Sequence, residues 1–299
     1  MLPVCRHLLA PSFRHLPSAY DIAATLAASY HGKLTSPQVG EQRAHGGNGK
    51  SRQNAAHEGY LGALMPMLPT LFFLALMQGD SSPSLTAPEI LERMVQADNA
   101  RLAALAGYSG VRHYRFENKK SGKTAEMIVR MSCGSDGVKT FDVVSESGSG
   151  FVRSHIIGKM IEAETESSQK GERKEGRILP ENYEFRLIGM EDSDGRSNYV
   201  LEINPRNPTK FAIRGRIWVD AQDFAIARIE GQPAKNPSFW IRSVKVEQRY
   251  GRTGQFWLPA LNHSVAQAKI FGSTEVVIEY SDYKTSVRET HARARAGDE

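Results

Sequence analysis

Between residues 108 and 283 the chain alternates apolar and polar residues in one short segment after another. A period of two is typical of strands that bury one face and leave the other in water. In one segment, for example, Met127 and Val129 share a side opposite Ile128 and Arg130. Clusters of Gly, Ser, Asp, Asn and Pro separate the segments and favour turns. The sequence therefore predicts about ten antiparallel strands.

Two segments have helical spacing instead. The first starts at Thr86-Ala-Pro-Glu89, a capping-box pattern with an early proline, and is predicted to end near Leu105. The second is predicted over 151–163, where one stripe is apolar. That stripe contains Val152, Ile156, Met160 and Ala163. The charge-rich stretch 162–176 that follows is predicted to be a solvated loop. Because a large open sheet needs a cover, we expect both helices to pack on it.

Residues 60–77 form an uncharged, mostly apolar segment that precedes the predicted strands. This pattern is typical of the hydrophobic part of an export signal, and an uncleaved anchor or a buried helix are the alternatives. The preceding residues lack apolar periodicity. We therefore predict four segments. Residues 1–59 are disordered or lie upstream of the biological start, and 60–80 form a signal peptide or hydrophobic anchor. Residues 81–284 form the folded domain, and 285–299 form a disordered basic tail.

The charge of the chain argues against nucleic-acid binding. The formal net charge is +5, but six Lys/Arg and three Asp/Glu precede residue 80, which leaves 32 and 30 in the remainder. These later charges are interspersed and form no basic stripe. Of the two cysteines, Cys5 lies upstream of the export segment, so a processed chain would keep only Cys133 and form no internal disulfide.

Motifs for catalysis or metal binding are missing from the sequence. Ser167 and Lys170 match S-x-x-K, but they lie in the charged stretch without the companion motifs of a nucleophilic serine. Asp220 and Asp223 are better explained as turn residues than as an acid–base pair. The histidines after residue 80 are isolated from one another: His113, His155, His263 and His291. We therefore expect no enzymatic activity, no cofactor and no metal.

Apolar and aromatic side chains are abundant on the predicted strands. These side chains are either ordinary core beneath the helices or the lining of a cavity suited to an acyl chain. The predicted lipid-binding residues on the strands are Met127, Val129, Met131, Phe185, Leu187, Tyr199, Leu201, Phe211, Ile213, Ile217, Trp240, Val244, Phe256, Leu258, Ile278 and Tyr280. The second helix adds Ile156 and Met160.

A family resemblance covers the stretch from Pro180 to Tyr283. It is carried by PENYEFRLIG, YVLEINPR, FAIRGRIWVDAQDFAIARIEGQPAKNPSFWI, FWLPA and IEYSDY. These segments resemble the bacterial outer-membrane lipoprotein-sorting proteins, the LolA-like family of the LolA/LolB superfamily. The resemblance implies a mainly β (α+β) fold, an unclosed antiparallel half-barrel of about 10–11 strands with helices covering its concave face. Arg112 and Arg115 are the candidates for the functional arginine of the founding carrier.

The same resemblance implies a monomeric periplasmic carrier or chaperone that shelters the acyl chains of lipoproteins or other lipids. An inner-membrane donor and an outer-membrane acceptor protein would be its partners. No lipidation cysteine follows the export segment, which favours the soluble carrier type. The alternative is a non-catalytic structural or sensory envelope domain that binds a protein partner through the same fold. Anchoring to the inner membrane is the alternative location.

Overall fold

The computed structural model describes residues 85–170, 177–236, 239–270 and 272–288. The predicted segments 1–59 and 60–80 and most of the predicted tail lie outside the described residues. Helix α1 is Ala87–Ala104. Helix α2 begins as α-helix at Gly150–Val152, continues through a π-helical turn at Arg153–Ile157 and ends as α-helix at Gly158–Lys170.

Ten strands form a single sheet in which every pair of neighbours is antiparallel. They are β1 Leu105–Asn118, β2 Lys123–Cys133, β3 Lys139–Gly148, β4 Tyr183–Ser193, β5 Arg196–Pro205, β6 Ile213–Asp220, β7 Ile226–Pro233, β8 Ile241–Thr253, β9 Phe256–Ala268 and β10 Gly272–Val287. Their order is β3-β2-β1-β10-β9-β8-β7-β6-β5-β4. The sheet is not closed, and with its two helices it has the mainly β, open half-barrel layout that was predicted.

The pairing of β1 with β10 decides which strands become the edges. Tyr114 lies opposite Ile278, and the register continues from Leu105 opposite Val287 to the far end of β1. The last strand of the meander β4 to β10 therefore lies directly beside the first strand of the meander β1 to β3. Strands β3 and β4 are left at the two edges, and α2 lies in the connection between them.

Two glycines allow a close approach between β6 and β7. Gly215 lies directly opposite Gly231 in the register. A Cβ atom on Gly215 would lie 1.9 Å from the carbonyl oxygen of Glu230. Since no side chain fits at that distance, the backbone contact requires glycine there.

Both helices cover the same face of the sheet. Helix α1 places Ile90, Leu91 and Met94 in a cluster with buried side chains of β4 to β9. Helix α2 packs on β1, β2, β8, β9 and β10. Ile213 contacts both clusters and joins them. The covered face is mostly apolar, with the buried polar side chains of Gln248, Asn262 and Ser264 on the same face. A third cluster at the start of β1 contains Leu105, Tyr108, Met131, Cys133, Phe256 and Leu258.

Two predicted boundaries were wrong. Residues 285–287 belong to β10, not to the tail, because their backbone pairs with β1 and this pairing needs no apolar alternation. Helix α2 extends beyond 163 to Lys170, into the stretch predicted to be a solvated loop. Glu164 and Ser168 in this extension are buried at 3% and 8% exposure.

Candidate functional site

The face beneath α2 is mostly apolar across five strands, with Asn262 and Ser264 of β9 as buried polar exceptions. Val129, Val276 and Ile278 are at most 1% exposed there. Helix α2 fills the layer above them with Val152, Ile156, Ile157 and Met160, all at most 2% exposed. The side chains of the helix thus occupy the space that a bound apolar ligand would need.

The second half of α2 is held by a buried charged cluster, here called the latch, formed by Arg112, Lys139 and Glu164. Arg112 on β1 donates two hydrogen bonds to the carboxylate of Glu164, at 2.6 Å and 3.0 Å. Lys139 on β3 donates a third, at 2.7 Å. The backbone N–H of Lys139 also donates to Ser168 Oγ at 3.1 Å. All three residues of the latch are only 2–3% exposed, so the whole latch is inside the protein.

The latch holds Glu164 ionised in spite of its burial. Burial alone would raise the pKa of Glu164, but the charges of Arg112 and Lys139 and their hydrogen bonds lower it to about 2. Burial lowers the pKa of Lys139, and the charge of Glu164 opposes that effect. The carboxylate is therefore the group that makes the burial of two cations tolerable.

Aromatic rings enclose the arginine of the latch. The guanidinium carbon of Arg112 lies 5.0 Å from the ring centre of Phe141 and 5.2 Å from that of Tyr280, within cation–π range. Arg112 Nη1 also donates to the hydroxyl of Tyr114 at 3.2 Å. Among the described residues, Arg112 Nε and the Tyr280 hydroxyl have no hydrogen-bond partner. Arg112 thus has one donor still unused inside the core.

The structure distinguishes the two candidate arginines. Arg112 points to the covered face and contacts α2 through Glu164, whereas Arg115 points to the other face and binds Glu279 at 2.7 Å. The sequence analysis missed Glu164, although a signal was present. Position 164 continues a spacing of four residues that starts at Val152, and all members of that series are buried: Val152, Ile156, Met160, Glu164 and Ser168.

The predicted lipid-binding residues are divided among the three clusters. The cluster under α2 contains Met127, Val129, Ile156, Met160, Val244, Ile278 and Tyr280, with Ile213 against it. The cluster under α1 contains Leu201 and Ile217, with Phe185, Leu187 and Tyr199 partly buried beside them. Met131, Phe256 and Leu258 belong to the third. Phe211 and Trp240 lie in loops just before β6 and β8, outside the strands where they were expected.

Two clefts among the described residues have charged side chains in their walls. One of 630 Å³ lies on the uncovered face of β6 to β9, with Arg216, Lys245 and His263 in its wall. The other, of 330 Å³, lies beside Arg196 and Asp220 at one end of the sheet. Neither is the apolar cavity that the sequence predicted. An apolar site under α2 requires the helix to move, because the side chains of the helix itself fill that layer.

No group of His, Cys, Asp or Glu that could hold a metal ion occurs within the described ranges. Within the same ranges, neither helix has the length and hydrophobicity needed to span a bilayer. The side chain of Ser167 and the residue His291 lie outside the described part of the structure.

No protein-family model matches the chain, and no curated protein matches it either. Several solved structures are similar. A DUF1329 family protein from Desulfovibrio piger is 15% identical with a TM-score of 0.36, covering 68% of this chain and 93% of that chain. A LolA superfamily protein from Nitrosomonas europaea is 15% identical with a TM-score of 0.31, covering 69% and 96%.

A putative outer membrane lipoprotein-sorting protein domain from Vibrio parahaemolyticus is 11% identical with a TM-score of 0.34, covering 67% of this chain and 94% of that chain. Proteins of the LolA superfamily and lipoprotein-sorting domains are thus among the solved structures that this chain resembles, as the sequence predicted. At TM-scores this low the alignments carry no argument about function. The fold rests on the strand order and register described above.

Proposed function

We propose that the protein is a non-catalytic periplasmic carrier that shelters the acyl chains of a lipoprotein or another lipid on the face beneath α2. The observation that supports this is the mostly apolar layer on five strands, covered by a helix that four apolar side chains and one charged latch hold in place. An acyl chain that buries several hundred Å² there gains several kcal/mol, at roughly 25 cal/mol per Å².

The latch gives α2 two alternative states. In the closed state Glu164 balances the charges of Arg112 and Lys139, and the helix occupies the apolar face. In the open state an acyl chain replaces the apolar side chains of α2, while water solvates all three charged groups of the latch. A buried ion pair contributes little net stability, because desolvation cancels most of its attraction. Exchange between helix and cargo then costs little.

A photoreactive fatty acid tests this proposal directly. We expect a diazirine label to insert into side chains of the covered face, such as Val129 and Ile278. Ile128 and Val277 are the matched controls, since they neighbour these positions in sequence and lie on the other face. Tandem mass spectrometry of the labelled peptides measures the distribution. Equal labelling of both faces, or none, would refute the carrier function.

Lipid extraction provides an independent measurement. Gentle purification, extraction with organic solvent and lipid mass spectrometry should recover an amphiphile in a fixed ratio to the protein. The second candidate function, an envelope domain that binds a protein partner, is favoured by the dense packing of α2, because a core filled by its own helix needs no cargo. That candidate predicts neither labelling nor bound lipid.

A further inference from the structure

The two ends of the sheet differ in charge. One end carries the turns that follow β1, β5, β7 and β9, and the other carries the turns that follow β2, β4, β6 and β8. We call the described residues of the first set the lysine rim. The lysine rim consists of 119–122, 206–212, 234–236, 239–240 and 269–270.

All the formal charges of the lysine rim are positive. They are Lys119, Lys120, Arg206, Lys210, Lys235 and Lys269, and every one is exposed. No Asp or Glu occurs among these rim residues. The turns at the opposite end, 134–138, 194–195, 221–225 and 254–255, are fully described and contain three Asp and no Lys or Arg. The rim turns therefore carry a formal charge of +6 and the opposite turns −3. Arg206 of the rim is paired with Glu184 on β4, and Asp223 at the opposite end is paired with Arg196 and Arg252, so lysine side chains account for the unbalanced charge of the rim.

The rim turns contact one another and form one surface. Lys120 Nζ donates to the carbonyl oxygen of Ile270 at 2.8 Å, which joins the first turn to the last. Lys269 Nζ lies 3.7 Å from the ring centre of Phe239 and joins the last turn to the one before β8. A backbone hydrogen bond of 3.1 Å then joins the loop before β8 to the loop before β6.

Apolar side chains project from the same surface. Phe239 is 74% exposed and Ile270 is 41% exposed, which are the two most exposed large apolar side chains of the rim. The ring of Phe239 stands edge-on to Trp240 at 5.2 Å. Aromatic side chains beside lysines are characteristic of proteins that sit at a membrane interface, where the rings enter the headgroup layer and the ammonium groups stay in water.

We propose that the lysine rim docks the protein on a bilayer rich in anionic phospholipids. The charge of the rim complements phosphate headgroups, and each lysine near an anionic surface strengthens binding by about fivefold. A projecting tip with an exposed phenylalanine and isoleucine favours lipid over nucleic acid, because insertion buries their apolar surface. This inference rests on the ends of the strands and not on the cargo under α2.

Docking of the rim would bring the start of α2 close to the membrane. Helix α2 starts at Gly150, next to the end of β3 on the rim side of the sheet. Lys123, the first residue of β2, lies with its Nζ 5.6 Å from the ring centre of Phe151 in the first turn of α2. A docked protein therefore holds the start of its covering helix near the membrane, where an acyl chain enters or leaves.

Tryptophan quenching by brominated phospholipids tests the docking on the full chain. The chain has three tryptophans and none in segment 60–77, so that hydrophobic segment gives no signal. Trp218 and Trp257 are buried at 4% and 7% exposure, towards the opposite end of the sheet. We expect quenching from Trp240 on vesicles that contain phosphatidylglycerol and none on phosphatidylcholine alone. Trp240→Phe should remove the quenching and leave sedimentation with vesicles unchanged.

Two matched triple variants test the role of the rim. Lys120→Gln, Lys235→Gln and Lys269→Gln together should lower the vesicle partition coefficient by about a hundredfold, at about fivefold for each lysine. Lys159→Gln, Lys245→Gln and Lys284→Gln remove the same charge from exposed positions outside the rim and should change it less than twofold. Circular dichroism confirms that both variants are folded.

Several results would overturn the docking. Equal losses in the two triple variants would show unspecific attraction, and binding without quenching of Trp240 would place the contact elsewhere. Binding to an acidic polypeptide or to DNA but not to vesicles would assign the rim to another class of partner. Because lipid extraction and photolabelling measure the cargo separately, the docking and the carrier function can fail independently.

Discussion

Helices α1 and α2 cover the same apolar face but are held by different forces. Helix α1 packs mainly with apolar side chains, and its one buried charge, Asp98, pairs with Arg101 of the same helix at 4.0 Å. Arg101 Nη1 also donates to the backbone oxygen of Asp223 at 2.8 Å and fixes the last turn. Helix α2 has comparable apolar contacts but also depends on the latch, where one carboxylate balances two buried cations. The comparison indicates a permanent cover over β4 to β7 and a releasable cover over β1, β2 and β8 to β10.

The largest effect is expected from Glu164→Ala. The substitution leaves Arg112 and Lys139 buried without a counterion, which costs about 3–5 kcal/mol. The protein escapes this cost by releasing α2, so amides of 158–170 should exchange rapidly while those of α1 keep their protection. Hydrogen exchange read by mass spectrometry measures both helices in one sample.

A second substitution on the same helix serves as the control for the latch. Glu162 is exposed and binds Lys159 on the surface of α2, so Glu162→Ala should change the opening free energy by less than about 1 kcal/mol. If Glu164→Ala exposed α1 and α2 equally, or neither of them, the distinction between the two helices would be lost.

Matched core truncations come next in size. Ile90→Ala on α1 removes a fully buried side chain and should lower the free energy of global unfolding by about 2–4 kcal/mol. Met160→Ala on α2 removes a side chain of similar burial, but we expect it mainly to favour local opening of α2. Urea denaturation should therefore show a larger fall of the midpoint for Ile90→Ala. Equal shifts would mean that both helices unfold together with the sheet.

Acid should release α2 before α1. The pKa of Glu164 is lowered to about 2 in the folded protein, from a usual value near 4.5. A lowered pKa contributes stability above the unfolded value, and that contribution is lost as the pH falls from about 4.5 towards 2. At pH 3 the loss is about 1–2 kcal/mol. A short pulse of pepsin at this pH should cleave within α2 first.

Glu164→Gln is the control for the acid experiment, because the amide does not titrate. The opening of α2 in this variant should be nearly independent of pH between 5 and 3, even though the helix is held less firmly. First cleavage in α1, or an unchanged acid response in the variant, would assign the pH dependence to other carboxylates.

The sequence predicted the backbone of the fold better than the latch. Alternation identified the strands, and turn-forming residues such as Gly195 and Gly254 marked their ends, because both signals act over a few residues. The buried Glu164 was missed because composition alone classes a charged stretch as solvated. Its counterions Arg112 and Lys139 come from strands 52 and 25 residues away, so their proximity depends on the complete sheet.

Two aromatic residues in loops, Phe211 and Trp240, show a similar limit of prediction from the sequence. Phe211 and Trp240 fit the apolar pattern of the strands that follow them, and the sequence therefore placed them on the covered face. In the structure β6 starts at Ile213 and β8 at Ile241, so both rings lie in loops of the rim end. A strand starts where its backbone finds a partner, and side-chain alternation does not contain that information.

The smallest expected effect concerns the start of α1, where the cover is fixed by a local motif. Glu89 Oε2 accepts from the backbone N–H of Thr86 at 2.8 Å, which is one of the two bonds of the predicted capping box, and it also accepts from the Thr86 hydroxyl at 2.7 Å. Thr86→Ala removes the hydroxyl and should cost about 0.5–1 kcal/mol, whereas Thr86→Ser should cost less. If α1 is a permanent cover, thermal denaturation should show this loss in the single global transition. An earlier separate transition in Thr86→Ala would mean that α1 is also releasable.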